Sequence, residues 1–117
     1  MLFSAHVIII IRQLNGDLQW KLLDTFFVNG WVNNGNSYYM KVGNGYLIKM
    51  SARYGTCTPG VAICENLPFS GQGICLNCFY DFPSVGSGIQ MQGSSIVLIG
   101  RQDGMTDNIF ASFFVCP

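Results

Sequence analysis

Apolar and polar residues alternate with a period of two between residues 46 and 54. The apolar positions are Tyr46, Ile48, Met50, Ala52 and Tyr54, and the polar positions between them are Lys49, Ser51 and Arg53. This period is typical of a β-strand with one buried and one wetter face. Gly43-Asn44-Gly45 precedes it and supplies residues that tolerate positive φ. The pattern therefore predicts a central hairpin with Tyr38–Val42 as the partner strand.

Short apolar runs separated by Gly, Pro and Asn continue along the rest of the chain. The predicted strands are Thr25–Val32 with a bend at Asn29-Gly30, Val61–Cys64, Ile74–Tyr80, Ile89–Gln92, Ser95–Ile99 and Ile109–Val115. Ser70–Gly73 is predicted to be a glycine-rich turn, and no run keeps a helical period. About eight or nine strands at this spacing predict a single all-β domain, an antiparallel β-sandwich or jelly roll.

The first 23 residues differ from the rest. The β-branched run Val7–Ile11 ends at Arg12, far short of the ~20 apolar residues that a spanning helix needs, so we expect no membrane insertion. A strand is favoured, with Asn15-Gly16 turning into Leu18–Leu22 to form a first hairpin. Alternatively, residues 1–23 are the end of a stalk or linker. Either way, residues 24–117 are predicted to form the sandwich.

Two predicted strands, Ile96–Ile99 and Phe110–Val115, are apolar on both faces. A strand of this kind needs a covering layer on each side. Only 10% of the residues are charged, against about 25% in ordinary soluble domains. Both observations predict burial against other copies of the chain, and the alternative is that loops cover these strands. The formal net charge of zero argues against nucleic acid or an anionic membrane as a partner.

The chain has five cysteines, so at least one cannot pair within the chain. They are Cys57, Cys64, Cys75, Cys78 and Cys116. Free, buried thiols are favoured over an intrachain disulfide and over a four-thiolate zinc site. A strand pattern would put Cys75 and Cys78 on opposite faces, so we expect no metal site. The odd count and the absence of an N-x-[ST] sequon predict folding in a reducing cytoplasm.

No group of residues specifies a reaction. His6 is the sole histidine and has no acidic partner near it in sequence. Asp103 and Asp107 share a loop and are candidates for holding a cation, yet both are also ordinary turn residues. The Gly-x-Gly sequences do not open a helix, so they do not indicate a phosphate site. We therefore expect no enzymatic activity, no catalytic residue and no cofactor.

The order of features from Asn29 to Pro117 resembles the C-terminal receptor-binding domain of bacteriophage tail-fibre and baseplate proteins. The matching positions are Trp31, Asn33, Gly35, Tyr39, Lys41, Gly43, Asn44, Leu67, Pro68, Ile96, Gly100 and Phe113. The resemblance covers roughly the last three quarters of the chain. It implies a β-sandwich head at the tail tip or baseplate of a virion, folded in the host cytoplasm and assembled as a homotrimer. It also implies host cell-surface saccharide and other virion tail proteins as partners.

A saccharide site needs aromatic rings for the apolar face of a sugar, with amides and carboxylates for its hydroxyl groups. The predicted turns contain this mixture, and the candidate ligand-binding residues are Asn34, Asn36, Tyr38, Tyr80, Asp81, Asp103 and Asp107. Tyr38 and Tyr80 are the preferred candidates for ligand binding, because the fold does not require an exposed aromatic ring in a polar loop. The alternative for the Asn and Asp residues is that turns favour them. Two other functions stay open: a structural virion or appendage subunit, and a carbohydrate-binding module of a bacterial protein.

Overall fold

The chain folds into two antiparallel β-sheets that face each other, in a computed structural model that describes residues 19–53, 55, 58–79, 87–100 and 108–117. The strands are β1 (Lys21–Leu22), β2 (Val32–Asn33), β3 (Tyr38–Val42), β4 (Gly45–Arg53), β5 (Ala62–Cys64), β6 (Gly71–Leu76), β7 (Gly88–Gly93), β8 (Ser95–Ile99) and β9 (Asn108–Val115). A short 3-10 helix, Asp24–Phe26, follows β1. The predicted all-β, sandwich-like architecture is confirmed.

The first sheet is built around β4, the long alternating strand. β3 and β2 pair with successive parts of one edge of β4, β9 pairs along its other edge, and β1 pairs with β3. The predicted hairpin of Tyr38–Val42 with the strand after Gly43-Asn44 is confirmed. Gly43 has φ +60°, a value that favours glycine, which explains the tight turn at this point.

The second sheet has the order β5-β8-β7-β6, and it is joined to the first sheet at both ends. At one end, Gln72 and Cys116 exchange two backbone hydrogen bonds of 2.6 and 2.8 Å, which link β6 to the end of β9. At the other end, Val28 N–H donates to the carbonyl of Ile63 at 2.9 Å, and Glu65 N–H donates to the carbonyl of Phe26 at 3.0 Å. These bonds satisfy backbone groups that open sheet edges would leave unpaired.

The hydrophobic core lies between the inner faces of the two sheets. Ile48, Met50 and Ala52 are buried, as the alternation along β4 predicts. The opposite sheet contributes residues such as Ile89 and Leu98, both fully buried. Burial of a large apolar side chain contributes about 1.5–3 kcal/mol, so this layer is the main source of stability.

Three predicted element boundaries are wrong. Most of Thr25–Val32, predicted as a strand, is a 3-10 helix, an isolated bridge at Phe27 and a turn at Asn29-Gly30. Gly71–Gly73, predicted as a turn, is the first half of β6. The strand predicted to reach Tyr80 ends at Leu76, because Asn77 takes a left-handed conformation with φ +57°.

The cysteines differ in environment. Cys75 lies in β6 and Cys78 lies beyond its end, so the expectation that both belong to one strand is wrong. The Cys78 thiol donates to the carbonyl of Cys75 at 3.7 Å. Cys64, Cys75 and Cys116 are free thiols; Cys64 and Cys78 are buried, while Cys116 is exposed. Cys57 lies outside the described residues.

The two strands predicted to be apolar on both faces have different surroundings. Both faces of β8 are covered within the chain, since Ile96 and Leu98 are fully buried on one face and Val97 is 6% exposed on the other. β8 is an interior strand between β5 and β7, so a neighbouring subunit is not needed to cover it. β9 does expose an apolar face, with Phe110 50% and Phe114 43% accessible.

The sandwich includes residues before the predicted boundary at residue 24. Lys21 and Leu22 pair with Tyr39 and Tyr38 of β3, and Leu23 is fully buried in the core. The predicted partner of a first hairpin, Val7–Ile11, lies outside the described residues. Within the described part of the chain, no helix has the length and apolar character needed to cross a membrane.

Candidate functional site

The outer face of the first sheet carries a row of side chains from four adjacent strands. The register aligns Leu22 of β1 with Tyr38 of β3, Tyr38 with Lys49 of β4, and Lys49 with Ser112 of β9. Directly opposed residues on one sheet face have Cβ atoms about 4.5–5.5 Å apart. An aromatic ring, a cation and a hydroxyl group therefore lie side by side on rigid backbone.

A shallow groove of about 300 Å³ lies along this row. It is lined by Asn36, Lys49, Met50, Phe110, Ala111 and Ser112. Met50 and Ala111 are buried, whereas Asn36, Lys49 and Ser112 are exposed and Phe110 is half exposed. The groove thus combines one large apolar surface with three polar side chains. We call it the β4–β9 groove.

An aromatic pair borders the β4–β9 groove on the β3 side. The rings of Trp20 and Tyr38 have centroids 6.2 Å apart and planes inclined by 60°. The Tyr38 hydroxyl donates a hydrogen bond of 3.2 Å to Asn36 Oδ1, so Tyr38 also positions one polar group of the groove. Trp20 is 47% exposed, and its ring is available to a ligand that extends beyond the groove.

The loop that carries Asn34 and Asn36 is held by the buried Ser37. Its hydroxyl lies 2.9 Å from both Asn33 Oδ1 and the Ser51 carbonyl, and it accepts a 3.0 Å hydrogen bond from Ser51 N–H. Asn34 N–H donates to the carbonyl of Ser51 at 2.8 Å. Both sets of bonds fix the loop to β4, beside the groove.

Two residues with cationic side chains lie on the outer face of the first sheet within the described residues. Lys49 and Arg53 both lie on this face, two residues before and two residues after Ser51. The acidic residues in the described part are Asp24, in the 3-10 helix, and Glu65, which follows β5 of the second sheet. Neither of them lines the β4–β9 groove.

The structure brings together three of the predicted ligand-binding residues. Asn36 lines the groove, Tyr38 is bonded to it, and Asn34 lies in the same loop. The other four, Tyr80, Asp81, Asp103 and Asp107, lie outside the described residues, so the predicted convergence of their turns on this site stays a prediction.

Sequence analysis did not identify Trp20, Lys49, Phe110 and Ser112 as candidates. The sequence did indicate the face that two of them occupy. Lys49 lies on the wetter face of β4, and Phe110 lies on the second apolar face of β9. What the sequence did not contain was the pairing of β4 with β9, which places these two faces next to each other.

A second groove, of about 490 Å³, lies where β6 meets the end of β9. It is lined by Gln72, Gly73, Ile74, Gln90, Phe114 and Cys116. Apolar side chains are exposed along this junction, with Ile74 50% and Leu76 49% accessible beside Phe114. We call Ile74, Leu76 and Phe114 the junction strip.

The described residues contain no group of three or more His, Cys, Asp and Glu side chains placed to hold a metal ion. Cys64 is a buried titratable group in this part of the chain. Desolvation by burial raises the pKa of its thiol from 9.0 to about 12. A thiol with such a pKa is protonated at neutral pH and is a poor nucleophile or metal ligand.

Comparison with protein-family models, with curated proteins and with solved structures gave no significant match for this chain.

Proposed function

We propose that this chain is a saccharide-binding domain that attaches a bacteriophage virion to its host as the head of a tail-fibre or baseplate protein. The observation that supports binding best is the β4–β9 groove, with Phe110 inside it and the Trp20–Tyr38 pair beside it. The viral role is supported by the resemblance of residues 29–117 to such heads. In this proposal the domain acts by binding and performs no reaction.

The composition of the groove fits a sugar ring. The C–H bonds on one face of a pyranose pack against an aromatic ring, which provides large contact area at low entropic cost. The Asn36 amide, the Lys49 ammonium and the Ser112 hydroxyl supply hydrogen bonds for the groups at the edge of the sugar. Strands position Lys49 and Ser112 more accurately than loops do, and the hydrogen bonds of Ser37 hold the loop that carries Asn36, so the site needs little rearrangement on binding.

The first prediction is that the aromatic pair contributes to affinity. Tyr38→Ala removes the ring and the hydroxyl that positions Asn36, so we expect at least about a tenfold loss of glycan binding. Tyr38→Phe keeps the ring and removes only the bond to Asn36, so its loss should be smaller. A glycan array, followed by isothermal titration with the best ligand, measures both effects.

Val32→Ala is the matched control, because Val32 is an exposed apolar residue of β2 outside both the β4–β9 groove and the junction strip. It should bind glycan as the unaltered protein does. Circular dichroism confirms that each variant is folded. If folded Tyr38→Ala and Trp20→Ala proteins both bind normally, the β4–β9 groove is not the site.

The junction strip favours a second candidate function, that of a structural virion or appendage subunit that binds other copies or other tail proteins. Ile74, Leu76 and Phe114 form an exposed apolar surface. Surfaces of this kind typically pack against protein rather than against sugar. The two functions are compatible within a homotrimer, which we also propose, if the strip forms the contact between subunits. Absence of binding to any glycan, together with stable assembly, would favour the structural role alone.

A further inference from the structure

We infer that the β4–β9 groove selects an anionic saccharide, one in which a carboxylate or phosphate group is attached to the sugar. This inference rests on the proposed saccharide-binding function and specifies the chemical class of its ligand. The groove combines a ring surface, which fits a sugar, with a hydrogen-bonding set dominated by donors.

Lys49 is the charged residue among the described residues that line the groove. It is exposed and lies between Tyr38 of β3 and Ser112 of β9 in the cross-strand row. A lysine ammonium is a compact charge with three donors and no acceptor. A ligand that places its anionic group over β4 would therefore meet this ammonium while its ring contacts Phe110.

Asn36 adds to the excess of donors. Its Oδ1 accepts the hydrogen bond from the Tyr38 hydroxyl, and its amide NH₂ group carries two donors that a ligand can use. Ser112 provides a hydroxyl donor on the far side of Lys49. Three donor side chains in one groove match a group with several acceptor oxygens, such as a carboxylate or a phosphate monoester.

The described lining of the groove contains no carboxylate. Arg53 lies further along the same face of β4, two residues beyond Ser51. The Lys49 ammonium next to an apolar groove attracts an anion and repels a cationic amino sugar.

The test compares matched ligands by isothermal titration at low salt. A glucose oligosaccharide is compared with the same oligosaccharide carrying one glucuronic acid, and with one carrying a single phosphate. We expect both acidic forms to bind at least about tenfold more tightly than the neutral form, because charge-assisted hydrogen bonds are the stronger ones. The difference should shrink in 0.5 M salt, since exposed charges are screened.

Lys49→Gln should remove the preference for the acidic forms and retain binding of the neutral form. Lys49→Arg should retain most of the preference for the acidic forms. Lys41→Gln is the matched control, because Lys41 is an exposed lysine of β3 outside the groove. Which acidic ligand binds more tightly identifies the source of the anionic group.

Equal affinity for the neutral and acidic forms, or a preference that Lys49→Gln leaves unchanged, would overturn the inference. If Tyr38→Ala abolishes binding in that case, the proposed saccharide-binding function stands and only the ligand class is wrong. If no saccharide of either class binds to the folded protein, the proposed function and the inference both fail.

Discussion

Ser37 connects the stability of the fold with the position of the groove loop. Its side chain is fully buried and contacts Asn33 and both backbone groups of Ser51. Ser37→Ala would leave the Ser51 N–H buried without its hydroxyl acceptor, which costs about 1–3 kcal/mol. We predict a loss of stability of this size in urea unfolding, and weaker glycan binding because Asn36 is held less firmly.

Ser70→Ala serves as the control, because Ser70 is exposed in the loop before β6. An exposed substitution of this kind should change stability by no more than about 0.5 kcal/mol. Equal unfolding curves for Ser37→Ala and Ser70→Ala would show that the hydroxyl of Ser37 contributes nothing to the fold.

Cys64 gives the protein a predictable pH dependence. Burial raises the pKa of its thiol from 9.0 to about 12, so the folded state keeps a proton that the unfolded chain releases above about pH 9. The contribution to stability is therefore complete below pH 9 and is lost as the pH rises towards 12. The slope from this group reaches about 1.4 kcal/mol per pH unit within that window.

Cys64→Ala removes this thiol. The free energy of unfolding of the Cys64→Ala protein should therefore fall less steeply between pH 9 and 12 than that of the unaltered protein. The measurement is the urea midpoint at a series of pH values, and the difference between the two proteins isolates the thiol from other groups. Parallel curves for the two proteins would contradict the prediction.

At the residue scale, the sequence identified the site only in part. Asn36 and Tyr38 were predicted because a polar turn next to an exposed ring is visible within a few neighbouring residues. Lys49 and Ser112 are 63 residues apart in the numbering and become neighbours through the pairing of β4 with β9. Local alternation defines which face a side chain occupies, but it does not define which strand lies next to it.

At the element scale, the glycines of β6 allow the two sheets to meet. A Cβ at position 73 would lie 2.5 Å from the backbone carbonyl oxygen of Phe114, which is closer than real contacts allow. Gly73→Ala must therefore push β6 away from β9. We predict a loss of about 1–3 kcal/mol in urea unfolding, the range for overpacking a tight interface.

Gln72→Ala is the control for Gly73→Ala, because Gln72 is the preceding residue of β6 and its side chain is exposed. Its stability should stay within about 0.5 kcal/mol of the unaltered protein. If Gly73→Ala behaves in the same way, the close approach of β6 to β9 is not required for the fold.

The close contact between β6 and β9 also explains which elements could be predicted from the sequence. β4, β8 and the larger part of β9 follow from apolar alternation or β-branched runs. The first half of β6 was predicted as a turn because Gly71-Gln72-Gly73 has the composition of one. These glycines serve the close approach of another backbone instead, which only the tertiary structure reveals.

At the scale of the whole molecule, we propose that the junction strip governs assembly. We predict that the protein is a homotrimer at micromolar concentration, because burial of Ile74, Leu76 and Phe114 removes a contiguous apolar surface from water. Ile74→Lys combined with Phe114→Lys should give a monomer that is still folded, since both side chains point outwards. Light scattering behind a sizing column measures the mass of each protein.

Val32→Lys provides the comparison, because Val32 is also exposed but lies in β2, on the opposite edge of β4 from β9. It should leave the trimer intact. A monomeric mass for the unaltered protein would show that the strip does not join subunits.

The position of β9 as the last strand in sequence also affects how the protein is made. β9 pairs with β4, and every pair joins residues more than about 50 positions apart in sequence. At a synthesis rate of about 5–20 residues per second, β4 is complete some 3–10 s before β9 exists. During that interval one edge of β4 is an unpaired template for other chains, and non-local pairing then adds about milliseconds to seconds of folding time. The strand that completes the groove therefore also sets the period in which the nascent chain can aggregate.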